Sequence, residues 1–123
     1  MRLEQAEELL LGIHSEFEKT HPGLSYCTCT EGGHIVFTVP SGDFESIVLA
    51  APVTTTVSNG RRVKYVNSVS ILEPGCTVFE DTYRTDNVII TVPLDTTGMT
   101  GQDFRRSVRT IREALGRRLD NNI

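Results

Sequence analysis

The chain contains 123 residues, the size of one domain with a single buried core. Hydrophobic residues make up 38% and charged residues 23%, which is typical of a globular protein and excludes wholesale disorder. The net charge of −4 argues against a general nucleic-acid-binding protein. No apolar run approaches the roughly 18–20 residues that a membrane-spanning helix needs, so we expect no membrane partner.

The first segment of the chain is predicted to form an amphipathic helix over residues 2–19. Apolar side chains recur at helical spacing on one face, and glutamates occupy the other. A His-Pro-Gly sequence at 21–23 ends the helix. Because glutamates stand where a secretory signal peptide carries basic residues, we expect a cytoplasmic protein. The apolar stripe consists of Leu3, Ala6, Leu10, Ile13 and Phe17, and the glutamates are Glu4, Glu7, Glu8, Glu16 and Glu18.

Residues 24–56 are predicted to form three strands. Two β-prone runs, 24–30 and 34–39, flank a Glu-Gly-Gly turn and therefore predict a hairpin. A Pro-Ser-Gly-Asp sequence then separates them from a strand at 44–56. Its uninterrupted apolar run suits a central strand that is covered on both faces.

Residues 57–74 admit two interpretations. The Asn59-Gly60 dipeptide is typical of a two-residue hairpin turn, and apolar residues alternate across residues 63–71, which favours a strand. The alternative is a short helix capped by Ser58. The β-branched residues of this segment have a low helix propensity. A Glu-Pro-Gly sequence at 73–75 ends the element in either case.

The last third of the chain is predicted to contain two strands, at 76–84 and 87–92, and a long helix. Thr100 followed by Asp103 approximates a capping box, which places the helix start. The helix carries an apolar stripe of Phe104, Val108, Ile111, Leu115 and Leu119.

These elements predict one α+β domain over residues 1–123. Amphipathic N- and C-terminal helices flank an antiparallel meander sheet of five to six strands. The connections between strands are short, and short connections favour antiparallel pairing.

The sequence carries no motif typical of catalysis or of a cofactor site. There is no Gly-rich phosphate loop, no His-Glu-x-x-His and no nucleophile elbow, so we expect no enzyme activity, no catalytic residue, no cofactor and no metal. One alternative is zinc held across the first hairpin by Cys27, Cys29 and His34, with His21 nearby. Otherwise the three cysteines, which include Cys76, are expected to be buried free thiols.

The arginines of the C-terminal helix carry the main functional signal. Six arginines stand against three acidic residues there, opposite in sign to the first helix. They form either a solvated face or a surface for an acidic partner, such as the first helix of a second subunit. The predicted partner-binding residues are Arg105, Arg106, Arg109 and Arg112, and a second basic cluster consists of Arg61, Arg62 and Lys64.

The element order resembles the fold shared by class I type III secretion chaperones and the YbjN family. The resemblance rests on Asn67 after an apolar run, on the Pro93-Leu94-Asp95 strand exit and on Gly98-Met99-Thr100 at the start of the last helix. It covers most of the chain and implies the order helix, three strands, helix, two strands, helix. It also implies a non-catalytic homodimer that holds a client segment. The middle helix of that fold would have to lie at residues 59–72.

A strand at 61–72 brings a different resemblance. The run from Ser46 to Leu115 is then similar to the coat proteins of small single-stranded RNA phages, which implies an antiparallel sheet and a C-terminal helix that interlocks with a dimer partner. The acidic first helix departs from that pattern. The residues that would face RNA are Arg61, Arg62, Lys64, Asn87 and Thr91.

The sequence thus predicts a cytoplasmic, non-enzymatic protein-binding module, chaperone-like or an adaptor, that acts as a homodimer and binds a client protein. The alternative is a small RNA phage coat protein of the virion, which forms a capsid shell and binds RNA through its sheet.

Overall fold

The computed structural model describes residues 1–29, 33–41, 44–74 and 85–121. In these stretches the chain forms two long helices, α1 (Leu3–Glu18) and α2 (Gly101–Asp120), and a short 3-10 helix, Thr85–Asn87. It also forms six strands: β1 (Ser25–Cys29), β2 (His34–Ser41), β3 (Phe44–Ser58), β4 (Arg61–Val66), β5 (Ser68–Leu72) and β6 (Val88–Pro93). The predicted α+β class, with terminal helices and an antiparallel sheet, is confirmed. The strand predicted at 76–84 lies outside the described residues.

The six strands form one antiparallel sheet. Five of them follow the order β1-β2-β3-β5-β6, and β4 pairs with β3 outside this order. The two parts of the long strand β3 pair with different strands. Its first part pairs with β2 and β5, and residues 53–58 pair with β4. We call the β-hairpin of residues 53–66 the arm.

Residues 57–74 contain the end of β3, all of β4 and all of β5, so the helix alternative is wrong. Asn59 and Gly60 both have positive φ, at 52° and 75°, as a two-residue hairpin turn of the primed type requires. Pairing of Val53 with Val66 gives way to pairing of Ala50 with Ser70. This pairing leaves one extra residue on the β4–β5 side, at Asn67, where the chain bends from the arm into the sheet.

Both helices cover one face of the sheet and form the main core with it. Alternate residues of the strands point to this face, because side chains alternate along a strand. Fully burying one aliphatic or aromatic side chain contributes about 1.5–3 kcal/mol, so this layer is the principal source of stability. The buried helix residues are Ala6, Leu10 and Ile13 of α1 with Ile111, Ala114, Leu115 and Leu119 of α2, and they pack on Ile35, Phe37, Leu49, Val69, Ile71 and Val92.

A smaller buried cluster lies on the opposite face of the sheet. It consists of Val36, Ile47, Ala50 and Leu72, and half-buried Val88 packs against it. The central part of β3 is therefore buried on both faces, as its continuous apolar run predicted.

The two helices follow the predicted sequence signals closely. Thr100 accepts a hydrogen bond from the backbone N–H of Asp103, and the Asp103 carboxylate accepts one from the Thr100 N–H. This capping box fixes the first turn of α2. Neither helix is long and apolar enough to cross a lipid bilayer.

A candidate protein-binding groove between two helices

α1 and α2 lie side by side and run in the same direction. Near their C-terminal ends the Arg112 Nε donates a hydrogen bond to the Glu16 carboxylate at 3.2 Å. Further along, His21 Nε2 lies 3.1 Å from the Asp120 carboxylate. The ring of Phe17 lies next to Gly116, where a side chain is absent. The seam between the helices is therefore closed at this end.

On the N-terminal side of these contacts a groove lies between the two helices. Two adjoining cavities, of about 390 and 450 Å³, share Leu9 of α1 and Phe104 of α2 in their walls. We use the term groove for the first cavity, which is lined by Leu9, Phe104, Arg105, Val108, Arg109 and Arg112. The second cavity continues it past Glu8 and Gln5 toward Thr96.

The groove combines an apolar floor with a cationic rim. Leu9 and Phe104 are half-buried and Val108 is buried, so apolar surface lies at the bottom. Arg105, Arg109 and Arg112 are spaced by four and three residues and therefore lie along one face of α2.

The rim retains two arginines without an ion-pair partner. Arg112 is engaged by Glu16, whereas Arg105 and Arg109 have no carboxylate within 4 Å among the residues that the structure describes. Both side chains are exposed. A guanidinium is positively charged at neutral pH and can form two parallel hydrogen bonds to one carboxylate, a bidentate geometry. The groove can therefore accept a segment that presents both carboxylates and apolar side chains.

The structure brings together three of the four arginines that the sequence predicted as partner-binding. Arg106 does not line the groove, and its Nη1 instead lies 3.8 Å from the Asp103 carboxylate. The apolar half of the site, Leu9 with Phe104 and Val108, was not part of the predicted site, because its formation depends on how α1 and α2 are placed together.

The second basic cluster lies on the arm. Arg61, Arg62 and Lys64 are exposed, and none has an ion-pair partner in the described part of the chain. Arg62 and Lys64 share one face of β4, and Arg61 lies on the other. The sequence contains no acidic residue from position 46 to position 72, although the whole chain is acidic. The arm is therefore a local cationic surface.

The two other residues that the sequence grouped with this cluster lie elsewhere. Asn87 belongs to the 3-10 helix, and Thr91 lies on β6, where its hydroxyl is 3.0 Å from the Ser70 hydroxyl. β6 pairs with β5, and β4 pairs with β3. The five candidate RNA-facing residues therefore do not form one continuous strip on neighbouring strands.

In the first hairpin the candidate zinc ligands Cys27 and Cys29 lie on β1 and His34 lies on the paired strand β2. Cys29 stands opposite His34, and Cys27 stands opposite Val36. Among the side chains that the structure describes, no three His, Cys, Asp or Glu residues come together as metal ligands. The Cys27 thiol is exposed, so the expectation of burial is wrong for this residue.

His14 has a structural role that sequence reasoning missed. It stands outside the apolar stripe of α1, but its Nε2 donates a hydrogen bond to the Leu24 carbonyl at 2.6 Å. Its ring also makes edge contacts with Tyr26 and Phe37. The side chain fastens α1 to the start of β1. The sequence signals this role only weakly, through the position of His14 directly after the buried residue Ile13.

Two described groups have clearly shifted pKa values. Burial raises the pKa of the Tyr26 phenol above its usual 10.0, and the Glu7 carboxylate raises it further. The Thr28 side chain offsets part of this rise, although no atom of the described stretches lies in hydrogen-bond geometry with the buried phenol oxygen. Hydrogen bonds from Thr97 lower the pKa of Asp95 below its usual 3.8. Neither group lines the groove.

The element order bears on the two family resemblances. At residues 59–72 the chain forms β4 and β5, where the secretion-chaperone pattern has its middle helix. The N-terminal helix is present, and the phage coat pattern lacks one. A comparison with family models, curated proteins and solved structures found no match to this chain.

Proposed function

We propose that this protein is a non-enzymatic protein-binding module, chaperone-like or an adaptor, whose groove binds an acidic amphipathic segment of a client protein. The observation that carries the proposal is the groove itself, which has an apolar floor between Leu9, Phe104 and Val108 and a rim of arginines. The proposal places the module in the cytoplasm, as a homodimer in its client-free state.

A helical client segment fits this geometry best. In helix-in-groove recognition, apolar side chains at helical spacing supply affinity by leaving water. Carboxylates on the flanks of the same segment meet Arg105 and Arg109, which supplies specificity and faster association. Basic segments are disfavoured because their charges would face these guanidinium groups.

The test uses two short synthetic helical peptides and fluorescence anisotropy. One peptide carries leucines at helical spacing flanked by glutamates, and the matched peptide carries lysines in place of the glutamates. The acidic peptide is expected to bind, with an affinity that falls as salt is added. The Arg105→Glu/Arg109→Glu variant should bind it roughly tenfold more weakly or worse.

Arg106→Glu is the matched control for that variant. It reverses an exposed charge on the same helix outside the groove, so it should leave binding unchanged. Equal affinity for the acidic and basic peptides would contradict the proposal. An equal loss from Arg106→Glu would also contradict it, because the effect would then be one of overall charge.

The alternative function, an RNA phage coat protein, is supported by the arm. Three exposed basic residues, in a stretch of sequence that has no acidic residue from position 46 to position 72, suit contacts with a phosphate backbone. Light scattering on the purified protein should then report a large shell, and absorbance at 260 nm should report bound RNA. Arg61→Glu/Arg62→Glu/Lys64→Glu should remove that RNA. A small particle free of RNA contradicts this alternative.

A further inference from the structure

The outer face of α1 is acidic and carries one exposed leucine. Glu4, Leu11 and Glu18 are spaced by seven residues, so they lie in one line along the helix, and Glu8 lies beside them. All four side chains are exposed, and Leu11 is exposed at 44%. α1 therefore presents to solvent the kind of segment that the groove is suited to bind.

The charges on the two surfaces are opposite in sign and equal in spacing. Glu4 and Glu8 are one helical turn apart, as are Arg105 and Arg109. Residues four apart are neighbours on a helix surface, so two such pairs can face each other across two packed helices. Leu11, one turn further along α1, can then reach the apolar floor.

Within one chain this match is not used. α1 forms one wall of the groove through Leu9 and borders the continuation through Glu8, whereas Glu4, Leu11 and Glu18 lie outside the walls of both. No ion pair joins Glu4 or Glu8 to Arg105 or Arg109 among the described residues. A second copy of the chain can supply the missing partner.

We infer that in the free protein the groove is occupied by α1 of a second copy, so that self-association and client binding compete for one site. Each copy offers both an acidic α1 face and a basic groove, so a twofold arrangement forms two such contacts and closes as a dimer. The inference rests on the proposed function, since it names a partner for the same groove. A client segment then binds only as the dimer dissociates.

Charge-swap complementation in sedimentation experiments tests the inference. Arg105→Glu/Arg109→Glu makes the groove acidic, and Glu4→Lys/Glu8→Lys makes the α1 face basic. Each variant alone is expected to dimerise roughly tenfold more weakly or worse, because like charges then face each other. An equimolar mixture is expected to recover a heterodimer of wild-type strength, because opposite charges meet again in both contacts. Arg106→Glu should dimerise as the wild type does.

The outcomes separate this inference from the proposed function. A wild-type protein that stays monomeric, a ladder of larger species, or a mixture that fails to recover dimers overturns the inference. Adding the acidic synthetic peptide should convert dimer to monomer, and a dimer that binds the peptide without dissociating also overturns it. In each of these cases peptide binding that depends on Arg105 and Arg109 still supports the proposed client-binding role of the groove.

Discussion

The Nε of Arg118 donates a hydrogen bond to the main-chain carbonyl of Leu72 at 2.7 Å. Arg118 is only 2% exposed, and its Nη2 lies 3.5 Å from the Glu73 carbonyl. The side chain thus joins the last turn of α2 to the end of β5. A cation is tolerated there because carbonyl oxygens replace part of its hydration.

Replacement of this arginine should destabilise the fold. Arg118→Met keeps much of the apolar stem but leaves the carbonyls without their donor, and hydrogen bonds to charged groups contribute about 1.5–3 kcal/mol each. We expect the free energy of unfolding in urea to fall by about 2–3 kcal/mol. Exposed Arg117→Met is the matched control and should change it by about 0.5 kcal/mol or less. Equal effects at the two positions would contradict the structural role of Arg118.

Tyr26→Phe should stabilise the protein. The phenol oxygen is buried and has no hydrogen-bond partner among the described residues, and such a group costs about 1–3 kcal/mol. Removing it should raise the free energy of unfolding at neutral pH by about 1 kcal/mol. A loss of stability would show that the hydroxyl is satisfied in solution.

The same substitution should change the alkaline limb of the stability profile. The raised pKa of Tyr26 means that the folded state holds the phenol proton more tightly than the unfolded state does. Its contribution is therefore present below pH 10.0 and lost as pH rises through the folded-state pKa. Tyr26→Phe should lose less stability than the wild type in this range, as followed by urea unfolding at several pH values.

Asp95 should titrate below the usual value for an aspartate. Its Oδ1 accepts a hydrogen bond from the Thr97 N–H at 3.0 Å, which favours the carboxylate. Its contribution to stability is present above pH 3.8 and lost as pH falls through the lowered pKa. NMR titration of the carboxyl carbon should show this low pKa. Thr97→Ala should raise it only partly, because the backbone hydrogen bond is kept; an unchanged value would assign the whole shift to that bond.

Loss of the capping box should weaken α2. Thr100→Ala removes the acceptor for the Asp103 N–H, and comparable changes cost about 0.5–2 kcal/mol. Thermal unfolding should show the loss as a lower Tm. Gln102→Ala alters an exposed neighbour in the same turn without touching the cap, so its Tm should stay close to that of the wild type. A comparable drop in both variants would contradict a specific role for Thr100.

Sequence reasoning was most effective where local signals decide the structure. Thr100 and Asp103 specified the start of α2, and Asn59-Gly60 specified the turn of the arm. Local signals do not decide between strand and helix at 57–74, because β4 is stabilised by its pairing with residues 53–58 of β3, a contact that no local pattern specifies.

The candidate site could be predicted only in part. The spacing of Arg105, Arg109 and Arg112 places them on one helix face, and Arg106 is turned away from it by its position in the helical repeat. Arg118 is four residues from buried Ala114 and therefore lies on the buried face of α2, but its hydrogen bond to the Leu72 carbonyl depends on where β5 is placed. The apolar floor needs Leu9 from the opposite end of the chain.

The common direction of α1 and α2 imposes a polarity on whatever binds between them. Both helix N-termini lie at the open end of the groove, and a helix N-terminus carries a partial positive charge. A helical guest therefore has its lower electrostatic energy with its C-terminus at that end, antiparallel to both walls. The groove thus favours one direction of a bound helix, even when the charges and apolar side chains of that helix would fit in both directions.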